Sequence, residues 1–156
     1  MSKLDFIKCV LAAVLIFLLT PFVCWLLPPS TNSNDNIALC RAIQTLKDVR
    51  IHEPISNELS VAIDYTVDRY TSIGRMSVNV RWLPEYVAGV NAPWCPGMTL
   101  NSDVWGESVF VDAELLLHEA MHDYPPYLGH AHVYPITQEF EQAYWRLHDS
   151  KLERVR

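Results

Sequence analysis

Basic residues are scarce in this chain. Its 156 residues include 12 Lys and Arg against 18 Asp and Glu, a formal net charge of −6. Residues 28–156 alone carry 10 basic and 17 acidic side chains. Binding a phosphate backbone needs the opposite balance, so a nucleic-acid partner is excluded. Glycine is also scarce, at five against ten prolines, and no segment repeats. That excludes collagen-like and linker-only chains. Cysteine is limited to Cys9, Cys24, Cys40 and Cys95, too few for a disulfide-built scaffold. Core material is not lacking. Five Trp, seven Tyr and five Phe exclude a disordered chain. The length allows one ordinary domain.

The apolar residues are unevenly spread. Residues 1–27 hold 21 of them, and between 9 and 27 only Thr20 and Pro21 break the run. Nineteen residues at ~1.5 Å each are enough to cross a bilayer. Lys3 and Lys8 precede the run, and no basic residue follows it before Arg41. The positive-inside rule then keeps the N-terminus cytoplasmic and exports the rest. The sequence therefore predicts a transmembrane signal anchor over 1–27, a polar linker over 28–36 and one domain over 37–156. The expected localisation is a single-pass membrane protein with its domain in the periplasm or cell exterior. A cleaved signal peptide and a secreted domain form the alternative. Export makes Cys40 and Cys95, the only cysteines beyond the run, a candidate disulfide.

Beyond the linker, periodicity predicts an α+β domain. Leu39, Ala42, Ile43 and Leu46 recur at helical spacing behind Asp35 or Asn36 as a cap. Ser56 caps a second helix that buries Leu59, Ala62, Ile63, Val67 and Tyr70 and stops at Gly74. Met76, Val78, Val80 and Trp82 alternate with polar residues, predicting a strand over 76–83. A second short strand covers 98–101. Asp112 is the expected cap of a third helix, with Val111 and Leu116 as its hydrophobic staple. Pro125 and Pro126 end that helix, and a last one starts near Thr137, burying Phe140, Ala143, Tyr144 and Leu147.

The third helix contains His118-Glu119-Ala120-Met121-His122. Residues four apart share one helical face, so both imidazoles can reach one metal ion. Glu119 points about 100° away, towards a water rather than the metal. Two imidazoles and an open position suit zinc, and a carboxylate beside it suits general-base catalysis. Chance yields this pattern in roughly 1% of chains of this composition. The clustering of four of six histidines, His118, His122, His130 and His132, within fifteen residues argues further against chance. His130, behind a Pro-Pro turn, is the leading third ligand. Glu139, Glu141 and His132 remain alternatives. Tyr124, Tyr127, Tyr134 and His132 are candidate donors to an oxyanion. His52 and His148 read as surface residues, and the strand over 76–83 as a possible edge for an extended peptide.

On these residues the chain resembles the zincin metallopeptidases across roughly 76–148. The segment Gly129-His130-Ala131-His132-Val133-Tyr134 resembles the SprT-like minimal zincins, in which this His is the third ligand. Glu139-Phe140-Glu141 resembles the glutamate helix of gluzincins more weakly. Eight residues separate His122 from His130, which departs from the six of metzincins. Asp123 departs from the uncharged residue zincins usually carry there, and reads as a support for a ligand or a cap for the Pro turn. The resemblance implies a minimal zincin-like domain with a small sheet. It implies a zinc metallopeptidase using Glu119, with Zn2+ on His118, His122 and His130. Its substrate is a peptide or protein, or the peptide of peptidoglycan. Two other functions stay open: an inactive zincin-fold protein that binds metal or peptide, and a structural zinc module closed by all four clustered histidines.

Overall fold

Helices dominate the chain, and one of them organises the rest. The computed structural model describes residues 33–71, 77–85, 87–91, 97–124 and 128–153. Helix α1 (Ser33–His52) starts ahead of the expected Asp35 or Asn36 cap. It buries Ala42, Ile43, Leu46 and Val49 along one stripe. Helix α2 (Asn57–Thr71) opens as the sequence predicts, with the Ser56 hydroxyl accepting the Leu59 N–H at 3.1 Å. Leu59, Ala62, Ile63, Thr66 and Tyr70 form its buried face. A cap of this kind satisfies one of the N–H groups a helix start leaves unpaired. The expected stop at Gly74 lies outside the described residues.

Three short strands follow. They are β1 (Ser77–Arg81), β2 (Gly89–Asn91) and β3 (Gly97–Asn101). The sheet order is β1-β3-β2. β1 runs parallel to β3 with Val78 opposite Met98, and β2 runs antiparallel with Val90 opposite Thr99. Met98 and Leu100 of the central strand are fully buried. Trp82, expected on the buried face of the strand over 76–83, lies past its end and is 71% exposed. Buried Asn101 then fixes the chain between β1 and β2. Its side-chain amide donates to the Leu83 and Val87 carbonyls, and its side-chain oxygen accepts the Leu83 N–H.

Helix α3 (Val109–His122) packs against α1, α2, β2 and the last helix, so it is buried on most of its surface. Its N-cap is Ser108, whose hydroxyl accepts the Val111 N–H at 3.1 Å. The expected cap, Asp112, sits inside the first turn, 3% exposed, and accepts the Gly106 N–H at 2.7 Å. The expected staple of Val111 and Leu116 moves with it, since Val111 is already helical. Helix α4 (His130–Glu153) starts seven residues earlier than periodicity predicts. The Gly129 carbonyl accepts from His132 and Val133 and opens the helix. Pro135 sits in the second turn. The carbonyl it leaves unpaired belongs to exposed Ala131, where water can satisfy it. His122 meets His130, and Phe110 meets Tyr144 and Trp145, so α3 and α4 run antiparallel.

Two expectations are corrected here. The α+β architecture behind a transmembrane helix gives way to a mostly helical fold with a small three-stranded sheet. Its strands are five, three and five residues long, against helices of 20, 15, 14 and 24. Pro84 follows β1, and Pro93 and Pro96 stand between β2 and β3 in the sequence, where proline limits strand extension, and α4 takes in residues 130–136 ahead of its expected start. The single-pass localisation is corrected as well. Among the described residues no helix is long and apolar enough to cross a membrane, and the run over 9–27 that carried that expectation lies outside them. Cys40 is an exposed free thiol, and Cys95, its expected partner in a disulfide, lies outside the described residues.

Candidate metal centre and cleft

Helical spacing puts His118 and His122 on one face of α3, and their Nε2 atoms lie 3.2 Å apart. The His122 Nδ1–H donates to the Leu128 carbonyl at 2.8 Å. That bond fixes the ring and turns Nε2 towards His118. His130, the first residue of α4, brings its ring to 4.7 Å from that of His122 and 5.3 Å from that of His118. One donor atom from each of the three lies within 4.8 Å of the others. Two nitrogens sharing a tetrahedral zinc at ~2.1 Å are roughly 3.4 Å apart. The donor set and its spacing therefore fit such an ion. Burial, reinforced by the charges of His122 and His130, pulls His118 down to about 4. His118 is thus neutral at ordinary pH, the form that ligates metal.

Glu119 is 6% exposed and lies against the edge strand β2. Burial pushes its carboxyl up to about 7, a backbone hydrogen bond from Asn91 opposes this, and Asp123 adds to it. The Asn91 side chain also donates to the Glu119 carbonyl at 2.6 Å, tying β2 to the helix. Gly89 makes this approach feasible. A Cβ there would lie 2.7 Å from Glu119 Oε1, closer than two unbonded atoms can stand. The strand expected to present an edge to substrate, over 76–83, is therefore not the one beside the histidines; β2 is.

An open cleft of about 500 Å3 is lined by His118, Glu119, His130, Tyr134, Gly89 and Glu114, among others. Tyr134 stacks on His130 with ring centroids 5.1 Å apart and is 58% exposed. Of the tyrosine candidates, it is the one placed at the cleft. Tyr124 packs edge-on against Tyr65 in a different groove, and Tyr127 lies outside the described residues.

The other candidate ligands are held elsewhere. Both oxygens of Glu139 are engaged by Ser56, at 2.6 Å from its N–H and 2.7 Å from its hydroxyl. Glu139 serves the start of α2. Glu141 is exposed and outside the histidine group. His132 lines the second groove, between α2 and α4, with Met121 and Leu128. His52 and His148 are exposed.

Asp123 caps the C-terminus of α3, and its carboxylate pairs with Arg69. Its carbonyl accepts the Tyr65 hydroxyl at 3.3 Å. The charged residue that departs from the zincin pattern is thus 6% exposed and neutralised from α2. Sequence reading missed Arg69, Gly89, Asn91 and Glu114. The first three act through contacts 28 or more residues away in sequence, which no local motif signals. Glu114 carried a signal, since it precedes His118 by one helical turn. No family model, no curated protein and no solved structure matches this chain.

Proposed function

We propose that this chain is a zinc-dependent hydrolase of peptide amide bonds, with His118, His122 and His130 as metal ligands and Glu119 as general base. The observation that carries the reading is the convergence of three imidazole donors beside a buried carboxylate in an open cleft. Bound there, zinc supplies a Lewis acid that polarises a carbonyl and makes water acidic near neutral pH. Glu119, held near neutrality by burial, accepts a proton from the attacking water. It then delivers that proton to the leaving nitrogen as the amide bond breaks. An extended peptide runs along the free edge of β2, which leads its backbone past Glu119. Tyr134, at the cleft beside His130, is placed to donate to the developing oxyanion.

The competing structural-zinc reading needs a fourth protein ligand and a closed shell. His132, its fourth imidazole, lines the other groove, which favours the open, catalytic arrangement. The inactive zincin-fold reading is separated by experiment. Glu119→Gln is expected to keep one zinc per chain by elemental analysis while hydrolysis of a peptide pool falls by at least about 10²-fold. Undiminished hydrolysis in that variant overturns the assigned mechanism.

A further inference from the structure

The catalytic reading leaves one cleft carboxylate without a task. Glu114 precedes His118 by four residues, so the two stand one above the other on the same face of α3, roughly 5–6 Å apart at Cβ. It lines the same cleft as His118 and Glu119. Val87, Val104, Val111 and Leu115 supply the apolar part of its walls. Glu114 forms no salt bridge among the described residues. Desolvation, and then the nearby charge of Glu141, hold its carboxyl above the ordinary range. A half-buried carboxylate that forms no salt bridge and lies beside apolar side chains is short of one positive charge. No salt bridge among the described residues supplies it, and the cleft is open to a ligand that can.

We propose that Glu114 is a specificity-determining residue that selects substrates bearing a positive charge close to the scissile bond. The inference rests on the hydrolase reading above and adds the substrate class. Two sources carry this chemistry: a Lys or Arg side chain, and a free amino terminus. The cleft suits both, because the aliphatic stem of a long side chain packs against the Val and Leu walls while its charged end meets Glu114. The aromatic group of Phe110, Tyr144 and Trp145 lies one turn further along α3 from Glu114. Net charge adds to the selection, since an acidic chain attracts cationic peptides and repels anionic ones.

The test compares binding of four peptides matched except for charge. They carry Lys or norleucine beside the central bond, with the amino terminus free or acetylated. Titration calorimetry on the full chain bearing Glu119→Gln separates affinity from turnover. The Lys peptides or the free-amine peptides are expected to bind at least about tenfold tighter than the doubly uncharged one. Whichever pair gains identifies the source. Adding Glu114→Gln is expected to bring the ratio to near one, and Glu114→Asp to retain part of it. Circular dichroism melting verifies that each variant is folded. Equal binding of all four peptides overturns the proposal, as does a preference that survives in folded Glu114→Gln. Hydrolysis is scored separately with Glu119 intact. Charge selection without hydrolysis overturns the peptidase reading and keeps the role of Glu114.

Discussion

Single atoms decide what Glu119 can do. Its carboxylate shares space with β2, and the strand comes close only because residue 89 has no side chain. A Gly89→Ala methyl forces the carboxylate or the strand to move. Misplacing a reacting group by about 1 Å costs on the order of 10²-fold in rate. Gly89→Ala is therefore expected to lower kcat/KM by about that factor while leaving zinc content at one per chain. Steady-state kinetics beside elemental analysis verify both halves, and loss of zinc in parallel with activity places the fault at the histidines instead. Arg69 works at the same scale from a different element. It neutralises the buried Asp123 that ends the His-Glu helix. Removing one partner of such a pair leaves an uncompensated charge, at a cost of roughly 3–5 kcal/mol. Arg69→Ala is expected to be strongly destabilised in urea titrations, and a midpoint like wild type contradicts that account.

Helix α3 is the element through which every other part acts. Its interior face supplies Leu116, Leu117 and Ala120 to the core, while His118 and Glu119 line the cleft and His122 meets His118 and His130 beside it. The start of α3 is set by Ser108 rather than Asp112. Asp112 instead takes the Gly106 N–H and holds the turn before the helix. Ser108→Ala is expected to cost ~1 kcal/mol, the usual effect of losing an N-cap hydroxyl. Urea denaturation with an unchanged slope is the measurement, and a cost near zero returns the capping role to Asp112. The two acidic residues near the start of α4 divide their work. Glu139 satisfies the N-terminus of α2, and the charge of Glu141 adds to the upward shift of the Glu114 carboxyl.

At the scale of the whole molecule, the site trades stability for chemistry. In the metal-free protein, burial raises Glu119 from 4.5 to about 7. The stability tied to its protonated form is complete below pH 4.5 and is lost as pH rises through 7. His118 moves the other way, from 6.5 to about 4. Its contribution is complete above pH 6.5 and is lost as pH falls through 4. Between pH 4.5 and 6.5 the two slopes oppose each other, and only the Glu119 slope is removed in Glu119→Gln. The stability of that variant relative to wild type is therefore expected to rise by on the order of 3 kcal/mol between about pH 4 and pH 8. Urea midpoints in chelator across that range measure it, and a pH-independent difference places the carboxyl in water. Zinc is expected to raise the melting temperature in proportion to the logarithm of its concentration, because it binds the folded state. Calorimetry with and without chelator verifies this.

Local chemistry in the sequence was enough to mark His118, Glu119 and His122, because a spacing of four on a helix fixes their common face. It was also enough for the Ser56 cap and the buried stripe of α2, which depend on neighbours within a few turns. The start of α4 was placed near Thr137 from the stripe of Phe140, Ala143, Tyr144 and Leu147, whereas the helix begins at His130 and tolerates Pro135 where its freed carbonyl meets solvent. The choice of third ligand was open in the sequence, since His130, His132, Glu139 and Glu141 were all near enough along the chain. Tertiary structure brings His130 beside His118 and His122, while His132 lines another groove and Glu139 is held by Ser56. The edge strand β2, its glycine at position 89, and the Arg69–Asp123 pair belong wholly to tertiary structure. Each rests on packing between segments far apart in sequence, which periodicity and motif spacing do not encode.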